Sequence, residues 1–158
     1  MLIIWPPVTH IGFLLADNSR LARWSFDQQV RALGVTGPQA RLLLTLHRAP
    51  GENQGFYAER LEVEPITLCR MVDRLAEAGL IERRPDPADR RAWQLHLTGK
   101  STAMLEKLQH EVDALVEDML DGMPEAERET FRRLLAQVGT NLSARRDSMR
   151  ENAKASNG

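Results

Sequence analysis

A single cysteine among 158 residues leaves nothing with which to build a disulfide framework, and it agrees with a reducing cytoplasm. Aromatic residues are also scarce, at 5%. The start, Met1-Leu2-Ile3-Ile4-Trp5-Pro6-Pro7, is apolar, but it lacks a basic leading region and breaks at two prolines. It therefore reads as neither a signal peptide nor a membrane span. His10, His47, His96 and His110 show no ligand spacing with one another or with acids, so no metal site is expected. No Gly-rich phosphate loop, nucleophile elbow or catalytic dyad occurs, so neither a cofactor nor an enzymatic activity is expected. An excess of one charge is absent too. The net charge is −1 and gives no support to nucleic-acid binding by itself.

What the chain does contain suits one domain of ordinary size, with 42% apolar and 27% charged residues. Its charge is unevenly spread. Residues 83–91 hold four arginines and two aspartates, a local +2. Residues 104–135 hold nine acids against four basic residues, a local −5. A basic loop opposed to an acidic distal region would orient the chain on a polyanion by that loop.

Hydrophobic periodicity divides the chain into helices with definite stops. Ile11, Leu14, Leu15, Leu21 and Ala22 recur at helical spacing within 9–33, widened by Phe13, Trp24 and Phe26, and Gly34 ends the segment. Thr36-Gly37-Pro38-Gln39 reads as a capping box opening a helix over 37–48 that buries Leu42, Leu43 and Leu46. Asn53 can cap a short helix 54–61 with Phe56, Tyr57 and Leu61 inward. Glu62-Val63-Glu64 forms a turn, and Pro65 opens the next helix, which closes at Gly79 with Leu80 folding back on Leu75. Trp93, Leu95 and Leu97 alternate with polar neighbours, so 91–97 reads as a half-buried strand returning antiparallel to a strand at 80–84. After Thr98, a narrow apolar stripe runs from Met104 to Leu120, and a second from Phe131 to Leu142. Internal repeats and interdomain linkers are absent.

Helix, turn, helix, strand, basic loop, strand is the order of a winged helix–turn–helix. A charge run alone reads as a solvated turn; the flanking elements make this one a wing. On the second helix of the motif, Leu68, Val72 and Leu75 face inward, leaving Ile66, Thr67, Cys69, Arg70, Asp73 and Arg74 outward. Arg70 can grip guanine O6 and N7, and Thr67 can reach a thymine or a phosphate. In the wing, Arg90 at the tip is the candidate for insertion into the minor groove. Arg84 and Arg91 are assigned to phosphates or to folding the wing, and Asp86 and Asp89 to holding arginine side chains. The expected DNA-binding set is Thr67, Arg70, Arg74, Arg84, Asp89, Arg90 and Arg91.

The stretches "TGPQARLLLTLH" and "AERLEVEPITLCRMVDRLAEAGLIERRPDPADRRAWQLHLT", with the two trailing helices, resemble the MarR family of bacterial transcription regulators over about residues 9–143. "VDRLAEAGLIERRPDPADRRA" carries the most specific part, and the wording is nearest the SlyA-like branch. The resemblance implies a cytoplasmic, homodimeric regulator binding a pseudo-palindromic operator in double-stranded DNA, usually as a repressor, and releasing it when a small phenolic or anionic ligand binds. It also matches Arg70 and Arg90 to the family's recognition-helix and wing-tip arginines, and Asp89 to the aspartate beside the latter. Ala40 stands where the family often has tryptophan, which implies extra space there. Gly55 and Tyr57 are less usual for the family.

The overall expectation is a mainly α fold with a small β wing: a winged helix–turn–helix over 35–98, a helical dimerisation region over 1–34 and 99–146, and a flexible tail over 147–158. An effector site is expected beneath the first helix, the helix 37–48 and the helix after Thr98, with His10, Phe13, Arg41 and His47 as aromatic or cationic walls for a small aromatic or anionic molecule. Redox sensing by Cys69 is set aside. A winged helix used only for protein contacts, without DNA, is the alternative function, and the wing arginines argue against it.

Overall fold

A computed structural model of the chain describes residues 10–156. The apolar start at residues 1–7 and the end of the tail at 157–158 lie outside the described residues. Two compact units are present, one extending to Met119 and one beginning at Leu120.

In the first unit, helix α1 (Ile11–Gln29) passes into a short 3-10 turn, Val30–Leu33, which ends at Gly34 in the left-handed region. Helix α2 (Gly37–Arg48) opens with the capping box read from the sequence. The Gln39 amide donates to the Thr36 hydroxyl at 3.3 Å, and the Thr36 amide donates to the Gln39 side chain at 2.9 Å. Gly37 is required by a close approach, because a Cβ there would meet the Asp27 carboxylate at 1.9 Å. Asp27 in turn pairs with Arg41, tying α1 to α2.

Asn53 caps helix α3 (Gln54–Leu61), accepting from the Phe56 amide at 3.0 Å. Helix α4 (Pro65–Glu77) follows after a three-residue turn. It ends in a Schellman motif, in which Leu80 N–H donates to Leu75 C=O and Gly79 N–H to Ala76 C=O, both at 2.9 Å. Strands β1 (Ile81–Pro85) and β2 (Trp93–Leu97) pair antiparallel, from Ile81 opposite Leu97 to Pro85 opposite Trp93. A 3-10 turn at Gly99–Ser101 leads into helix α5 (Thr102–Met119). The result is mostly helix with a two-stranded wing, the fold class expected.

The core is built where the elements of 35–98 meet. Leu42, Leu43, Leu46, Tyr57, Leu68, Val72 and Leu95 are fully buried, joined by Phe26 and Val30 from the first helical segment and Leu108 from α5. Tyr57 places its polar tip with equal care: the hydroxyl donates to the Ala49 carbonyl at 2.6 Å and accepts from the Glu52 amide at 3.2 Å. Burial raises its pKa above the usual phenol value, with the backbone hydrogen bond from Glu52 opposing.

Helix α6 (Glu125–Ser156) makes up most of the second unit. Helical backbone therefore continues through 147–156, in place of the loose tail that the polar sequence suggests. The physical reason is compositional: after Pro124 no proline interrupts the segment, and Ala, Arg, Glu and Lys predominate near its end. Trp93 is a second departure. Alternation alone places it inward, but it lies at the outer end of β2 opposite Pro85 and is 50% exposed, because the strand runs out beyond the core there.

Candidate nucleic-acid interface

The turn between α3 and α4 sets the angle at which α4 is presented. Glu62 holds the left-handed conformation at φ 54, the only non-glycine among the described residues to do so. Its strain is offset by closure of the α3 end, where the Val63 amide donates to the Ala58 carbonyl at 3.0 Å. Pro65 then occupies the first turn of α4, where its missing N–H costs nothing. The Glu64 side chain makes no capping bond, so amides of this turn remain open to an outside acceptor such as a phosphate oxygen.

Leu68, Met71, Val72 and Leu75 anchor α4 to the core, and Thr67, Arg70 and Arg74 stand outward. Together with Thr36, Gln39 and Met71 these three line a hollow of about 190 Å³ between the α2 N-terminus and the outer side of α4. The sequence pattern does not suggest Thr36 and Gln39 here, since both are accounted for as caps.

The arginines of the wing divide into two groups. Arg83 is held by Asp73 of α4 at 2.6 Å and by the Gln54 side chain of α3 at 3.3 Å. It braces the wing against the helix–turn–helix and neutralises an acid on the outer side of α4. Arg84 donates to Glu82 on the same strand at 2.7 Å. Arg90 and Arg91 are exposed at the loop, and no carboxylate of the described residues pairs with them. The brace carries no local signal, because Gln54, Asp73 and Arg83 are far apart in sequence. Arg70 is likewise free of Asp73, whose carboxylate is taken by Arg83.

The two wing aspartates act differently from expectation. Asp86 accepts from the Ala88 amide at 2.8 Å and Asp89 from the Arg91 amide at 2.9 Å. They shape the loop as Asx turns, and they do not hold arginine side chains. The reason is the bend of the loop, which brings an amide two residues on within range of a short carboxylate. The loop closes through Asp86 N–H to Ala92 C=O at 3.1 Å and Ala92 N–H to Asp89 C=O at 3.0 Å.

The four residues expected around an effector are not gathered into one crevice. His10 caps α1, accepting from the Gly12 amide at 3.2 Å, and meets Phe13 edge-on at 5.8 Å; both are exposed. His47 lines a cavity of about 450 Å³ with Leu44, Leu97, Ser101, Leu105 and Glu106. Arg41 lines a second cavity, of about 420 Å³, with Arg23, Phe26, Arg48, Arg60 and Val112. Ala40 is fully buried and lines neither, so the missing tryptophan does not open either cavity. Cys69 is half-buried with its thiol 3.9 Å from the Asp73 carboxylate. No helix among the described residues is long and apolar enough to cross a membrane.

Comparison with known proteins converges on one group. A family model described as the MarR family matches residues 35–93, the helix–turn–helix and wing. The chain is 30% identical to a structure described as the transcriptional regulator PA3341, which covers 85% of this chain and 98% of its own at a TM-score of 0.72. A crystal structure of MarR is 26% identical, with 91% and 98% covered and a TM-score of 0.80. A structure of the multiple antibiotic resistance repressor MarR is 25% identical, with 83% and 96% covered and a TM-score of 0.75.

Proposed function

Because this chain belongs to the MarR family of transcriptional regulators, we propose that it binds a pseudo-palindromic operator in double-stranded DNA as a homodimer and acts as a ligand-responsive repressor in the cytoplasm. One observation carries the DNA contact: Thr67, Arg70 and Arg74 on α4 and Arg90 and Arg91 on the wing are exposed, while the neighbouring acids are occupied elsewhere. In this reading α4 enters the major groove, with Arg70 on a base edge, Thr67 beside it and Arg74 toward phosphate. Arg90 enters the minor groove and Arg91 meets the backbone. Arg84 and Asp89 contribute indirectly, by stiffening β1 and shaping the loop. The wording of the wing supports a place in the SlyA-like branch. A repressor role is supported by the likeness to the multiple antibiotic resistance repressor.

Uncovered apolar surface supports the homodimer. Ile11, Leu14, Leu15, Leu21 and Trp24 of α1 are exposed in the single chain, as are Phe131, Leu134, Leu135 and Leu142 of α6. A two-fold partner would cover such surface and would present two recognition helices to two half-sites. An anionic aromatic effector fits the cavity beside Arg41, where Arg23 and Arg41 are already paired with acids and Arg48 and Arg60 are available. The test is titration of the chain against an operator selected from genomic fragments, at several salt concentrations. Tight binding that weakens steeply with salt is expected. Absence of any DNA binding would favour a winged helix that serves only protein contacts.

A further inference from the structure

Ile66 is an aliphatic side chain with no core to join. It follows Pro65 in the first turn of α4 and remains 61% exposed, while Leu68, Met71, Val72 and Leu75 fill the buried face. One exposed isoleucine is ordinary on any protein surface. Its company is what distinguishes it. At four-residue spacing Ile66 leads the row Ile66, Arg70, Arg74 along one outward side of the helix, with Thr67 beside it. Both arginines of the row are exposed, and the acid next to them, Asp73, is taken by Arg83. The row therefore presents one apolar group and two guanidinium groups, with the apolar group at the N-terminal end. In a helix–turn–helix the N-terminal residues of this helix meet base edges.

Among major-groove edges the apolar feature is the C5-methyl group of thymine. Against any other edge, Ile66 would strip water from a donor or acceptor and offer no hydrogen bond in return. We propose that Ile66 reads a thymine methyl group adjacent to the base met by Arg70, and so determines one position of each half-site. This rests on the DNA-binding reading above.

The experiment uses the full chain and a selected operator in which each thymine is replaced in turn, in both half-sites, by uracil. That exchange keeps base pairing and removes only the methyl group. At one position wild-type affinity should fall about fourfold per half-site, the worth of one buried methyl group. Ile66→Ala should lose a similar factor on the thymine operator and show no further loss on the uracil operator. Thr67→Ala should retain the full uracil penalty, which separates the two methyl-bearing side chains. If the wild type binds every uracil operator as tightly as thymine, or if Ile66→Ala keeps the penalty, the inference is overturned while operator binding stands. If the wild type binds no operator at all, both readings fall together.

Discussion

The segment 35–98 and helix α1 use comparable apolar side chains to opposite ends. Within 35–98, Leu42, Leu43, Leu46, Leu68, Val72 and Leu95 are completely buried by their own chain. In α1 only Phe26 is buried, and Trp24 is 61% exposed. The first region buries most of its apolar surface within the chain, with help from Phe26, Val30 and Leu108, and can turn its polar residues outward. The second has surface left over, which the proposed homodimer would cover. The proposed DNA contact and the proposed dimer seam thereby fall on different parts of the chain.

Substitutions on either side of that contrast should behave differently. The largest effect is expected from Leu43→Ala, which should cost about 2–5 kcal/mol of stability through the cavity it leaves; chemical denaturation at fixed protein concentration measures it. Leu21→Ala, on the exposed side of α1, should cost next to nothing if the chain is monomeric. A loss that is absent at low protein concentration and grows as the concentration rises would show that a second copy covers this helix, and light scattering that returned a monomer of 17.9 kDa would end the dimer proposal.

Within the outward-facing region, Arg70→Ala should cost about 1–3 kcal/mol per half-site and relax discrimination at one base. Arg90→Ala should instead lower the preference for A·T-rich flanks, since the minor groove encodes little else. Unchanged affinity on losing Arg90 would mean that the wing does not touch DNA. Arg83→Ala offers a contrasting case. It removes a brace and uncovers Asp73, so part of its loss should be restored by the double change with Asp73→Asn. Operator titration of the two variants reads this directly.

A smaller effect on stability than that of Leu43→Ala is expected from Tyr57→Phe, about 0.5–1.5 kcal/mol for the hydrogen bond to the Ala49 carbonyl. Its pH dependence has a definite sign. The folded pKa lies above the ordinary value of 10.0, so the unfolded chain loses the phenol proton first. The contribution of Tyr57 is fully present below that value and is lost as pH rises from it toward the folded pKa. Tyr57→Phe should therefore flatten the decline in stability at alkaline pH, and thermal melts across that range would detect it.

Much of the fold is legible in the order of the residues alone. Thr36 and Gln39, Asn53, Pro65 and Gly79 are short-range signals whose chemistry acts within a few residues, so the helix boundaries they imply are the ones observed. Periodicity likewise identifies the buried row Leu68, Val72, Leu75. The candidate site is legible only in outline. A run of four arginines announces positive charge but cannot say which members are occupied, because the partners of Arg83 lie on two other elements. The aspartates mislead for the complementary reason: along the linear chain a nearby arginine looks a better partner than a backbone amide, and only the bend of the loop brings the amide into range.

The order of elements, the inward faces of α2 and α4 and the presence of a basic wing all depend on contacts between near neighbours, and the amino-acid sequence was enough to specify them. Packing in three dimensions settled the rest: which arginines stand free, that Trp93 projects beyond the core, that His47 and Arg41 line different cavities, and that Ile66 heads a row of unpaired cations. These depend on distances between segments far apart in sequence, and such distances are set by how helices and strands pack around a shared core.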